Sequence, residues 1–266
     1  MSRLATLRVK RAPASTRLGA AIARVKSYVS FAAFLGSAFV CLGLYRGVVW
    51  FRPSSPARAL SALAAWCRWG CRCLRLEVIV EGSLPAGPCL YISNHRSYLD
   101  IPVLTAVLGG TFLSRADVAA WPLIGTVARL TQAVLVERDD AHDRIRAARA
   151  VMRRLRSGSV VVFPEGTTNG ERLPAPFAPG AFRLVQRLDV PLVPVTVRYS
   201  DRRAYWVEDL TLGQHVKTRL LAADGFRVQI HIGAEVRSRD DQNAEELATA
   251  VHAAVCKPIE TYGELV

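Results

Sequence analysis

The sequence predicts an α/β fold, a mixed sheet flanked by helices, with an N-terminal membrane-associated helical segment. Three observations carry that expectation. From Leu76 onward, short apolar runs bounded by Pro and Gly alternate with stretches of helical periodicity, the pattern of a sheet covered by helices. Two of those runs, Cys89–Ser93 and Val160–Phe163, end in polar loops that carry His, Asp, Glu and Gly. Residues 1–76 contain thirteen cations and no Asp or Glu, and within them Tyr28–Tyr45 is eighteen residues without a charge. A chain of 266 residues, 51% hydrophobic, suits one α/β domain plus an appendage. The expected division is 1–75 as a basic, apolar membrane anchor (hairpin or in-plane helices) and 76–266 as the α/β domain.

The whole net charge of +13 lies in the N-terminal part, since the first acid is Glu77 and the remainder balances. There the cations flank and interleave apolar residues. That arrangement favours anionic membrane lipid as partner, and no nucleic-acid-binding signature accompanies it. An Arg-rich transit peptide would share the composition of residues 1–26. Tyr28–Tyr45 is about the minimum length of a spanning helix. Seven cations precede it, so a single span would leave the N-terminus cytoplasmic and the rest outside. Arg46, Arg52 and Arg58 oppose that, and the expectation is a re-entrant hairpin or in-plane helix on the cytoplasmic face of the inner (plasma) membrane. Arg52-Pro-Ser-Ser-Pro56 breaks the run. Ala57–Cys73 follows as a helix, with Leu60, Leu63, Trp66 and Trp69 among cations, either interfacial or a core helix of the domain. Cys67, Cys71 and Cys73 lack zinc spacing and a nearby His, so they read as apolar filling of a membrane-facing helix and no metal site is expected.

The remaining elements follow in order. Leu76–Val80 is a strand and Gly82–Pro88 a loop. Cys89–Ser93 is a buried strand. A helix starts near Asp100, because Pro102 fits only a first turn. Thr111–Ser114 and Ala133–Val136 are strands, with an apolar stretch broken by Pro122 between them. Asp143–Arg156 is a helix with Ile145, Ala148, Met152 and Leu155 on one face and a solvated Arg face. Phe182–Leu188 is a helix. Val190–Tyr199 is a strand whose Pro191 and Pro194 predict an edge or a bulge. Phe226, Val228, Ile230 and Ile232 alternate with polar residues as a half-buried strand, and Ala244–Val255 is a closing helix. His95, Arg138 and Glu165 each lie just past the C-terminal end of a strand, where open α/β sheets place ligands.

The segment Asn94-His-Arg-Ser-Tyr-Leu-Asp100 carries the chemistry. On one helix, positions five apart diverge by about 140° and cannot meet. With His95 in the loop before the helix, its imidazole can fold back onto the Asp100 carboxylate. That contact would fix the tautomer and leave the other nitrogen to take a proton from a hydroxyl. Alone, a His and an Asp five apart are better read as a solvated turn residue and a helix cap, because the pattern is short and common. A second block, Phe163-Pro-Glu-Gly-Thr167, reverses that reading. The two blocks together resemble the 1-acylglycerol-3-phosphate acyltransferase family (PlsC-type glycerolipid acyltransferases), over roughly residues 75 to 235.

The resemblance implies an enzyme that moves an acyl chain from acyl-CoA or acyl carrier protein to the free hydroxyl of a lysolipid, with no further cofactor. It implies catalytic roles for His95 and Asp100, and acceptor binding by Glu165, Gly166 and Thr167. Arg138, in Leu-Val-Glu-Arg, matches the family's second block, where Asp-Arg is commoner, and Val193–Val197 resembles the fourth. Ser97 is expected as a hydrogen-bonding residue on the substrate-binding loop. Two positions depart from the pattern. Thr168 stands where Arg is frequent, and Ala178 stands where Lys often precedes Pro-Gly. Both losses remove cations that pair with a phosphate. The expected acceptor is lysophosphatidate or another lysophospholipid in phospholipid biosynthesis. The alternative is lyso-ornithine lipid, because FPEGTT variants resemble enzymes acting on such lysolipids. A non-catalytic lipid-binding protein and a hydrolase using water as acceptor are the readings from other classes.

Overall fold

In this computed structural model residues 17–51, 55–120, 124–137, 140–186, 190–207, 210–238 and 241–263 are described. The sheet is built around β2 (Leu90–Ser93), whose four residues are all buried, as in a strand covered on both faces. On one side it pairs in parallel with β5 (Val160–Val162), then β3 (Thr111–Arg115) and β4 (Val134–Val136). On the other side it pairs in parallel with β6 (Leu192–Tyr199). β7 (Phe226–Ile232) joins β6 antiparallel, and β1 (Leu76–Glu81) closes that edge parallel to β7. The sheet is therefore mixed and seven-stranded, as expected.

Successive residues of β2 feed opposite cores. Tyr91 packs with Leu99, Val103 and Leu104 of the segment around α3 (Asp100–Leu108) and with Cys71 of α2 (Pro56–Cys73). Leu90 and Ile92 pack with Val151 of α5 (Ala141–Leu155), Phe182 of α6 (Gly180–Val185) and Val251 of α8 (Ala244–Tyr262). β7 alternates as its sequence predicts, with Phe226, Val228, Ile230 and Ile232 buried.

Four expectations are corrected. β6 is an interior strand, not an edge. Its Pro194 lies just beyond the last rung against β7, with its carbonyl accepting from Gly233 N–H, and the pairing resumes one residue out of register at Leu192–Val236, so the bulge alternative holds. In a strand the nitrogen points to the same side as the carbonyl, so the missing N–H costs only the return bond of the Pro194–Gly233 pair. The buried row of α5 is Ala147, Val151 and Leu155 with Asp143, while Ile145 is 52% exposed. Asp143 turns inward because its carboxylate accepts from the Glu137 amide, which sets the helix's rotation. α8 continues through Pro258 to Tyr262, and the Thr196 hydroxyl donates to the Val255 carbonyl at 2.7 Å, near the position where the proline interrupts the helical ladder. Cys67 and Cys71 are buried rather than facing outward. They lie on the side of α2 that meets α3, where Arg68 also donates to the Ala106 carbonyl. The expected helix over Phe182–Leu188 is observed as Gly180–Val185, and residues 187–189 lie outside the described part.

The apolar N-terminal stretch belongs to one helix, α1 (Arg17–Phe51), of 35 residues. It does not double back within itself; α2 returns along it. Phe34 stacks on Trp66 at 4.5 Å, Trp66 Nε1 donates to Ser37 at 3.0 Å, and Tyr45 donates to the Ser55 carbonyl at 3.4 Å. Gly70 is required at this crossing, since a Cβ there would lie 2.2 Å from the Phe34 ring. Val25–Gly47 is long and apolar enough to cross a membrane by length and composition. Val29, Phe39, Val40 and Leu44 remain exposed on it.

Candidate active site

The loop after β2 is held from three sides. Asn94, fully buried, works as an extra rung of the sheet. Its Nδ2 donates to the Val197 carbonyl at 3.0 Å, and its Oδ1 accepts from Val197 N–H at 2.7 Å. Arg96 is almost wholly enclosed at 1% exposure, a placement tolerable only with its donors satisfied. Its guanidinium donates to the carbonyls of Asn169 at 2.8 Å, Glu171 at 2.6 Å and Arg172 at 2.9 Å. The third anchor is Glu165 in the loop after β5. Its Oε1 accepts from His95 N–H at 2.8 Å, and its Oε2 accepts from Asn169 Nδ2 at 3.0 Å and Ala175 N–H at 2.9 Å. Asn169 N–H in turn donates to the His95 carbonyl at 2.9 Å. The two sequence blocks are thus one structure, joined through side chains that bond backbone.

Asp100 lies in the first turn of α3 with no exposed surface. Its Oδ2 accepts from Arg96 N–H at 2.7 Å, Ser97 N–H at 2.9 Å and His95 Nδ1 at 2.7 Å. Its Oδ1 accepts from the Tyr199 hydroxyl at 2.6 Å. Four donors around one carboxylate fix its orientation. Burial first, then the Asp100 charge and hydrogen bond, push the Tyr199 hydroxyl well above the usual phenol range, so it remains a donor.

His95 is placed by these contacts and by Phe163, whose ring stacks on the imidazole at 4.1 Å and 13°. Its side chain is 16% exposed, and Nε2 has no hydrogen bond to a described residue. With Nδ1 committed to Asp100, the ring presents Nε2 to whatever enters.

The other expected site residues fall as follows. Glu165 is occupied in bridging the loops. Gly166 has φ +80°, a backbone conformation natural to glycine alone, and closes the turn by donating to the Phe163 carbonyl. Thr167 is exposed beside it. Ser97 is fully buried, and its hydroxyl accepts from Leu99 N–H at 3.3 Å, which gives it a place in building the turn. Arg138 lies outside the described residues. Among the described residues no group of three or more His, Cys, Asp or Glu side chains is arranged to hold a metal ion. Sequence reasoning missed Tyr199 and Phe163 as members of the site. Their signal is positional: each stands at the C-terminal end of a strand neighbouring β2.

A profile of the family described as Acyltransferase matches residues 75–198. The chain is 32% identical over 245 residues to a lyso-ornithine lipid O-acyltransferase of Pseudomonas aeruginosa, covering 88% of this chain and 93% of that one. It is 31% identical over 212 residues to a protein of the same name from Rhizobium meliloti, covering 72% of each. Against the chloroplastic 1-acyl-sn-glycerol-3-phosphate acyltransferase BAT2 of Brassica napus it is 35% identical, over 41% of this chain and 33% of that one. The crystal structure of PlsC, the 1-acyl-sn-glycerophosphate acyltransferase from Thermotoga maritima, has the same fold, with a TM-score of 0.68 over 92% of this chain and 97% of that one at 20% identity.

Proposed function

The chain belongs to the acyltransferase family, and from that premise we propose that it transfers an acyl chain from an acyl thioester to the free hydroxyl of a lysolipid, with lyso-ornithine lipid as acceptor. The observation that carries the reading is the His95–Asp100 pair, with Nδ1 bonded at 2.7 Å and Nε2 left for substrate. His95 Nε2 takes the hydroxyl proton as the acceptor oxygen attacks the thioester carbonyl. The C–O bond forms, the C–S bond breaks, and His95 returns the proton to the departing thiolate. Asp100 stabilises the imidazolium in between. Direct attack is simpler than an acyl-enzyme, since Ser93 and Ser97, the hydroxyls nearest to His95 in sequence, are both fully buried. The chemistry calls for no cofactor beyond the thioester, supplied as acyl-CoA or acyl carrier protein.

Two features support lyso-ornithine lipid over lysophosphatidate. Relatives matched over most of their length bear that name, and Thr168 and Ala178 replace cations suited to a phosphate monoester. The test is a panel of lysolipids with acyl-CoA and with acyl carrier protein as donors, read by mass spectrometry. Diacylated product from lyso-ornithine lipid, with thiol release dependent on acceptor, is the expected result. Product from lysophosphatidate alone would move the acceptor, and acceptor-independent thiol release would mean hydrolysis.

The proposed location is the cytoplasmic face of the inner membrane, with the exposed apolar surface of α1 in lipid. α2 packs into the domain through Cys67 and Cys71, so the clean deletion is residues 1–51. That variant is expected in the soluble fraction. Membrane association that survives both carbonate and high salt would contradict the assignment.

A further inference from the structure

The missing cations at 168 and 178 leave open how an acidic head group is held, and a cleft beside the motif loops answers this. β6 ends at Tyr199, the donor to Asp100, and a short 3₁₀ turn, Arg202–Ala204, follows directly. Beyond it opens a cleft of about 200 Å³ whose lining includes Asp201, Arg202, Arg203, Tyr205 and Arg219. It abuts the loop that carries Glu165. Arg202 Nη2 donates to the Gly170 carbonyl at 2.6 Å. Val207, another wall residue, packs so closely on Gly170 that a Cβ there would lie 3.1 Å from Val207 Cγ1. Trp206 N–H donates to the Arg96 carbonyl at 2.9 Å. The cleft therefore stands on the C-terminal side of the same strands as His95, where open α/β sheets take ligands.

Its guanidinium groups are organised in advance. Asp201 caps the turn by accepting from Arg203 N–H, and its Oδ2 accepts from Arg203 Nε at 2.8 Å and Nη2 at 2.6 Å. One edge of the Arg203 fork is thereby fixed, and its Nη1 has no hydrogen bond to a described residue. The Arg203 hydrogen bond, with the charges of Arg203 and Arg219, holds the Asp201 carboxyl below its usual range. Arg219 comes from a π-helical turn, Val216–Leu220. Tyr205 lies between two cations, with Arg96 Cζ 5.5 Å and Arg202 Cζ 5.8 Å from its ring centre. Among the described residues the lining holds three guanidinium groups and one carboxylate, and planar forks suit a carboxylate.

We propose that this cleft binds the acidic head group of the acceptor, the carboxylate of an amino-acid head group, in place of the cations absent at 168 and 178. The proposal rests on the lysolipid acyltransferase reading above. It is tested with R203Q/R219Q in the full-length chain, assayed on lyso-ornithine lipid, lysophosphatidate and uncharged 1-monoacylglycerol. The expected result is a fall of about tenfold or more in kcat/KM for lyso-ornithine lipid relative to monoacylglycerol, carried by KM. A proportional change on all three acceptors, or a loss confined to kcat, overturns the proposal, because a merely structural role would act that way. If the wild type prefers lysophosphatidate and the variant loses that acceptor relative to monoacylglycerol, the cleft stands as an anion site and the amino-acid assignment falls. If neither acidic acceptor loses ground to monoacylglycerol, the cleft is not the head-group site.

Discussion

Replacing His95 with alanine is expected to lower acyl transfer by about 10²–10⁴-fold or more while leaving the fold intact. The loss is catalytic because the ring contributes one stacking contact, on Phe163, and one hydrogen bond, to Asp100. The backbone bonds of residue 95, donating to Glu165 and accepting from Asn169, do not depend on its side chain. An unchanged far-ultraviolet spectrum and melting transition would show that the loop still forms.

Asp100→Asn is expected to be nearly as severe, on the order of 10³–10⁴-fold, for a different reason. The amide oxygen can keep the contacts to His95 Nδ1 and to the Arg96 and Ser97 amides, and the Tyr199 hydroxyl can rotate to accept from the new NH₂. The geometry survives, and the negative charge that stabilises the imidazolium does not. A stability cost of about 1.5–3 kcal/mol accompanies this, because four hydrogen bonds lose their ionic partner. Kinetics combined with denaturant titration separates the two effects: kcat should fall far beyond what the unfolded fraction explains.

The contrast between these two residues also shows what the sequence made legible. The His95–Asp100 contact was legible in two steps: Pro102 fixes where α3 begins and leaves His95 in the loop, and the Phe163–Thr167 block decided for a functional pair over a turn residue and a cap. The half-buried β7 was equally plain, because alternation is a local signal. The interior placement of β6 was not, because Pro194 argues for an edge or a bulge alike, and only the register shift between Gly233 and Val236 shows which. The face of α5 was misread for a related reason. A buried Asp143 does not register as apolar, yet its bond to the Glu137 amide sets the helix's rotation. Tyr199 was invisible because it meets Asp100 across ninety-nine positions of chain, and only the strand order brings the ends of β6 and β2 side by side. Glu165 was found by resemblance as an acceptor residue. Its carboxylate is instead filled by His95, Asn169 and Ala175, a bridging role that no local pattern announces.

The role proposed for His95 is to activate the acceptor hydroxyl of a lysolipid. Its most direct test is a side-by-side assay of purified wild type and folded His95→Ala with an acyl thioester and lyso-ornithine lipid, following diacylated product by mass spectrometry. The expected result is product from the wild type and, over the same period, at most about one part in a hundred from the variant. Comparable product from both proteins would contradict it.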